Sequence, residues 1–262
     1  MKIWILLFGF FVSHGASIPI GTSTIGMFGD KYQGDIKLNE AQKIIFGNNH
    51  SISQSEIRTG WTWEGFRWPT NANGLVIVPY TISYTQGFSQ REIETIEKEL
   101  TIIEHATCIR FVHRTTEDDY VDIIDGNGCW SWLGRVGGRQ ELSLDRAGCV
   151  EQGIPIHEMI HALGYDHMHN HIDRDDYVTI HWENILSDFY ANFDKVDPQW
   201  FDNFGTPYDL MSVMHYPKWA FSYNGEDVIV PHNAYYTEKI GSPYLSENDA
   251  LRLNRMYNCH KN

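Results

Sequence analysis

The pattern of apolar and polar positions changes texture along the 262 residues. Ile3 to Val12 form an unbroken apolar stretch behind Lys2, followed by small residues. About ten residues is too short to cross a bilayer, which takes about 20 helical residues, but suits the apolar region of a secretory signal. Cleavage is expected between Gly15 and Ser17, giving a signal over 1–16. Residues 17–58 are polar, weakly periodic and rich in Gly and Ser, and read as a removable segment. They hold one N-x-S/T acceptor, Asn49-His50-Ser51, which makes Asn49 the expected glycosylation site.

From about Leu75 the texture becomes alternating. "LVIVPYTI" predicts a strand over 75–82. In "SQREIETIEKELTIIEHATC", Ser89 and Glu92 form a capping-box pattern, and Ile93, Ile96, Leu100 and Ile103 recur at helical spacing, predicting an amphipathic helix over 90–105. "CIRFVHR", "YVDIID" and "ELSLD" read as short strands separated by Gly-rich turns such as "GNGC" and "GRVGGR". A second helix is expected over about 153–163. A last one follows Ser246, whose capping partner is Asp249. Between these two helices, residues 165–245 are aromatic, acidic and irregular. The order helix, strands, helix and irregular tail predicts an α+β domain over 59–262.

Charge and cysteines narrow the picture. A net charge of −14 excludes a nucleic-acid partner, since phosphate binding draws on a surplus of Lys and Arg. After the N-terminal stretch no segment is apolar enough for a membrane anchor. Cys108, Cys129, Cys149 and Cys259 are an even number in a chain marked for export, so two disulfides are expected, with three pairings open.

The chemistry concentrates in "HEMIHALGYDHMHNH", which packs five of the 13 histidines into residues 157–171. On a helix, His157 and His161 share one face, so both imidazoles can reach one ion. Glu158 sits one position round, beside that ion, where a carboxylate can take a proton from water and return it to a leaving amine. Gly164 has no Cβ, so it can adopt the left-handed conformation that ends the helix and turns the chain back, which brings His167 in as third ligand. His169 and His171 fall outside this spacing and read as solvated loop positions. Three imidazoles with an open position suit one Zn2+ per chain better than a redox metal.

The extended spacing H-E-x-x-H-x-x-G-x-x-H is the metzincin signature. Together with "SVMHY" (212–216), and with "CIRFV", "GCWSWLGRVGGRQELSL" and "YDLMSVMHY" following one another in the family's order, it resembles the astacin family of secreted zinc endopeptidases over nearly the whole chain. The resemblance implies a cleft between an upper lobe, with a twisted mixed sheet and two long helices, and a largely irregular lower lobe with a C-terminal helix. It implies the disulfides Cys108–Cys259 and Cys129–Cys149. Met214 becomes the apolar floor beneath the ligands, and Tyr216 a switchable ligand that also stabilises the oxyanion. "YQGDI" (32–36) is similar to the family's F-x-G-D-I latency motif, which would place Asp35 on the zinc of the uncut precursor. Counting back from "VPY" puts the mature start at Thr59, after Arg58, with Arg67 a second trypsin-like position.

Two departures from the family pattern stand out in "HMHNHIDRDD". Met168 replaces a Glu that helps to anchor the new N-terminus in family members, and His171 replaces an Arg. Neither removes a zinc ligand or the base. The function expected is a secreted zinc endopeptidase, made as a latent precursor, acting on protein substrates after cleavage by an activating protease. A monomer with no further module after Cys259 is expected. The alternative is a catalytically silent zinc-containing binding or matrix protein of the same fold. Retention of His157, Glu158, His161 and His167 speaks against it.

Overall fold

The computed structural model describes residues 31–47, 64–82, 87–197 and 202–259. The expected signal, Asn49 and the Arg58–Thr59 junction lie outside the described residues. In chain order the elements are β1 (Ile36–Lys37), α1 (Glu40–Gly47), β2 (Val76–Ile82), α2 (Gln90–Ala106), β3 (Ile109–His113), β4 (Tyr120–Ile124), β5 (Cys129–Trp132) and β6 (Arg139–Leu144). They continue with α3 (Ile154–Ala162), β7 (Val178–Ile180), β8 (Ile229–Pro231) and α4 (Glu247–Met256).

Helix α2 forms for the reasons its sequence suggests. The Ser89 side chain accepts from the Glu92 N–H while Glu92 reaches back to the Ser89 N–H, and Ile93, Ile96, Leu100 and Ile103 are buried along one face. Each such side chain contributes about 1.5–3 kcal/mol by leaving water. The same face carries a buried Glu99, whose carboxylate accepts from the Gly153 N–H at 2.9 Å. That bond caps the start of α3 from outside, where no side chain of its own does so.

One six-stranded sheet has the order β1-β5-β6-β4-β2-β3. Strand β5 runs antiparallel to β6, and every other pairing is parallel. The sheet is therefore mixed, as expected. Strand β5 was not expected: "GCWSW" lies between glycines and is buried on both faces, so it lacks alternation. Strand β1 and α1 were also hidden, in a segment read as polar and weakly periodic. Their attachment is physical. Ser131 N–H donates to Asp35 C=O at 3.0 Å, and Leu133 N–H to Lys37 C=O at 3.2 Å. Ile36, Leu38 and Leu133 form a small apolar cluster with Tyr32 packed against it.

Helix α3 has nine residues, so one of the two long upper-lobe helices is short. The region after it holds several 3-10 turns and the antiparallel pair β7–β8, with α4 closing the chain. Disulfides join Cys108 to Cys259 and Cys129 to Cys149. The first ties the end of α4 to β3 across 151 positions. Each stabilises by about 2–4 kcal/mol. No helix among the described residues is long and apolar enough to cross a membrane.

Glu92 couples this frame to pH. Hydrogen bonds from Ser89 and Arg146 hold its carboxyl at about 2, against an ordinary 4.5. Stability from a depressed carboxyl is fully present above the unfolded value and disappears as pH falls through the folded one. Glu92→Gln should therefore lower Tm by a few degrees at pH 7, with the gap closing near pH 2; equal melting at pH 7 would contradict the role.

Candidate metal centre

Helix α3 carries His157 and His161 and must end abruptly for His167 to return. The end is a Schellman turn: Tyr165 N–H donates to Ile160 C=O at 3.1 Å and Gly164 N–H to His161 C=O at 2.8 Å. Gly164 has φ of +99°, which a side chain would resist. The remaining carbonyls are taken from afar. Trp68 Nε1–H donates to Ala162 C=O at 2.9 Å, and the Tyr257 hydroxyl to Leu163 C=O at 2.7 Å. With its terminal groups satisfied, this turn is a rigid mount.

The outer nitrogen of each imidazole meets an acceptor. His157 Nδ1 lies 2.7 Å from Val213 C=O, His161 Nδ1 2.6 Å from Tyr165 C=O, and His167 Nδ1 2.8 Å from Gln33 Oε1. These acceptors place the proton on Nδ1 and leave a lone pair on each Nε2. Burial, followed by the neighbouring imidazoles, holds His161 well below its ordinary pKa, and burial also lowers that of His167, so both are neutral.

The three lone pairs converge. His157 Nε2 is 3.0 Å from His161 Nε2 and 3.3 Å from His167 Nε2. Asp35 Oδ2 lies 3.2 Å from His167 Nε2 and 3.4 Å from His157 Nε2. Oδ1 of Asp35 is buried and finds no hydrogen-bond partner. Four acceptors facing one another without a shared proton repel unless a cation sits among them. Three imidazole nitrogens and one carboxylate oxygen are a donor set that fits zinc. Asp35, His157, His161 and His167 are the His, Cys, Asp or Glu group, among the described residues, that could hold a metal ion.

Around this point lie the other residues singled out from the sequence. Glu158 is buried, its Oε2 lacks a partner, and burial followed by the charge of Asp35 pushes its pKa well up. Tyr216 is buried, and its hydroxyl donates to Gln33 C=O, so in this form the phenol is engaged by the backbone of the N-terminal segment. Met214 is buried, and its C=O accepts from the Met168 N–H at 2.8 Å, which ties the chain after the third ligand to the "SVMHY" turn. Beside His157 and Glu158 opens a cleft of about 450 Å³, bordered by Ile154, Pro217 and Trp219. No Lys or Arg lines it among the described residues.

The expectation for His169 and His171 needs correction. Neither joins the ligand group, but His169 is not solvated: it is fully buried and stacks on Tyr216 with ring centroids 3.7 Å apart. His171 is partly buried. Sequence reasoning also passed over Gln33 and Asp166, and read Asp249 only as a helix cap. Asp249, the capping residue of α4, accepts from Val213 N–H at 2.9 Å and from the Ser212 hydroxyl at 2.6 Å. It thereby holds the carbonyl that orients His157. Burial raises the pKa of Asp166, beside His167, to about 8. The Gln33–Asp166 and Asp249–Val213 contacts join positions far apart in sequence, so no local signal marks them.

This geometry defines a zinc hydrolase site of the kind in which two helical histidines and a third beyond a glycine turn share one ion. Residues 66–258 match the peptidase family described as Astacin. High choriolytic enzyme 1 of Oryzias latipes is 44% identical over 225 residues, spanning 84% of this chain and 80% of that protein. Zinc metalloproteinase nas-6 of Caenorhabditis elegans is 36% identical over 230 residues, spanning 87% of this chain and 63% of that protein. The solved structure of high choriolytic enzyme 1, described as a hatching enzyme zinc-protease, matches with a TM-score of 0.69 at 41% identity, covering 81% of this chain and 100% of that one. The chain belongs to the astacin family and is a zinc metalloendopeptidase.

Asp249 also pairs with the buried Arg252 at 3.2 Å. Removing one member of a buried pair costs about 3–5 kcal/mol, because the other charge is stranded. Asp249→Ala should cost that much in urea unfolding and loosen zinc retention. Unfolding indistinguishable from the parent chain would contradict its role.

Proposed function

We propose that the chain is a secreted precursor with a signal over 1–16 and a pro-segment over 17–58. The catalytic domain, 59–262, is held latent by Asp35 until an activating protease cuts near Arg58. One observation carries this reading: Asp35 lies among His157, His161 and His167 and borders the same cleft as Glu158. The parallel pairing of β1 with β5 adds to it, since the same stretch fills the exposed edge that an extended substrate would use. Gly34, at φ +87°, lets the backbone turn into the cleft. Support for secretion comes from the apolar N-terminal stretch and from two disulfides, which persist in oxidising compartments.

In the working enzyme His157, His161 and His167 would hold the zinc, which when bound would supply Lewis acidity to the scissile carbonyl and to the attacking water. Glu158, freed from the negative charge of Asp35, takes the proton of that water and passes it to the leaving amine. The Tyr216 hydroxyl, released from Gln33 C=O, becomes available to the metal and to the developing oxyanion. Burial raises the pKa of Tyr216, so it acts as a neutral donor. His169, stacked beneath it, limits how the ring turns. Substrates are proteins presented as an extended strand.

Two substitutions test the roles separately. Tyr216→Phe should reduce kcat by about 10²-fold or more while zinc content stays at one per chain. Full kcat would remove the oxyanion role. Asp35→Ala in the uncut precursor should cleave peptide without trimming, whereas the parent precursor does not; an inert Asp35→Ala precursor would overturn the latch.

A further inference from the structure

The three imidazoles differ in where their outer nitrogens are anchored. For His157 and His161 the acceptors are carbonyls of the catalytic domain itself, Val213 and Tyr165. For His167 the acceptor is the side chain of Gln33, 134 positions away in the pro-segment. Trimming near Arg58 therefore removes the outer partner of one zinc ligand. His167 is fully buried, so an unpaired Nδ1–H would be costly and would free the ring to rotate or change tautomer.

A replacement is in place. Asp166 is buried and already accepts the His167 backbone N–H through Oδ1 at 2.5 Å. That same Oδ1 lies 3.7 Å from His167 Nδ1, beyond hydrogen-bonding distance by less than about 1 Å. Its other oxygen, Oδ2, is held by Gln33 Nε2 at 3.3 Å. The Gln33 amide thus stands between the two groups, accepting from the imidazole with one end and donating to the carboxylate with the other. When it leaves, both partners lose a bond at once, and each can satisfy the other.

We propose that Asp166 is the positioning residue for His167 in the trimmed enzyme, and that Gln33 of the pro-segment holds that place in the precursor. This rests on the reading that residues 17–58 are removed on activation. The hand-off keeps the Nε2 lone pair of His167 aimed at the zinc in both states, with an Asp166 side-chain oxygen behind the ring once the enzyme is active. Asp35 withdraws a ligand on trimming, and Asp166 keeps in place one that stays.

The test is zinc affinity, read by competition with a chromophoric chelator, on the uncut precursor and its trypsin-trimmed product. In the trimmed form Asp166→Ala should bind zinc about 10–100-fold more weakly than the parent, with Asp166→Asn in between because its amide oxygen still accepts. In the uncut form Asp166→Ala and Gln33→Ala should each stay within about threefold of the parent, while the double variant falls as far as trimmed Asp166→Ala. Trimmed Asp166→Ala retaining parental affinity would overturn the proposal. So would an equal loss in both forms with Gln33 present, which would mark Asp166 as purely structural. Peptide cleavage by the uncut parent, measured alongside, reports on latency alone: activity there sinks the latch while the zinc comparison still decides the hand-off.

Discussion

Three imidazole lone pairs and one carboxylate are forced to face one another inside the protein, and much of the structure follows from holding them there. The arrangement is unfavourable without a cation and strong with one. It needs every proton kept on the outer side, which is why each Nδ1 meets an oxygen. It also needs a helix that stops within one turn of its second ligand, and Gly164 with the satisfied carbonyls of α3 provides that stop. Distant elements converge on this small volume. Glu99 of α2 caps one end of α3, Trp68 and Tyr257 take its last carbonyls, and Asp249 of α4 holds the turn that orients His157.

The N-terminal segment uses the same physics in reverse. It contributes one short strand, one short helix and a small apolar cluster, and it occupies the sheet edge and the ligand centre together. Its Asp35 supplies the fourth donor, while its Gln33 engages His167, Asp166 and Tyr216. Docking therefore engages four features of the machinery at once through five consecutive residues, 32–36.

How much of this was legible in the sequence varies with distance along the chain. The candidate ligands His157, His161 and His167, the proposed base Glu158 and the glycine turn lie within eleven positions, and their spacing points to the chemistry. Helix α2 announced itself through its capping box and apolar face, and the family resemblance carried the disulfide pairing and the "SVMHY" turn. Strand β5 did not show, because burial on both faces erases the alternation that marks a strand. His169 read as a loop histidine because its burial comes from Tyr216, 47 positions away, and from Asn192, whose C=O it meets at 3.0 Å. Gln33 and Asp166 are ordinary polar residues until the fold sets them against each other across 133 positions.

The most direct test of the account is zinc content together with peptide cleavage, measured on one preparation before and after trypsin trimming at Arg58. The account predicts one zinc per chain in both states, with cleavage appearing only after trimming. One zinc per chain with no cleavage in either state would contradict the assignment of this centre as a working peptidase site.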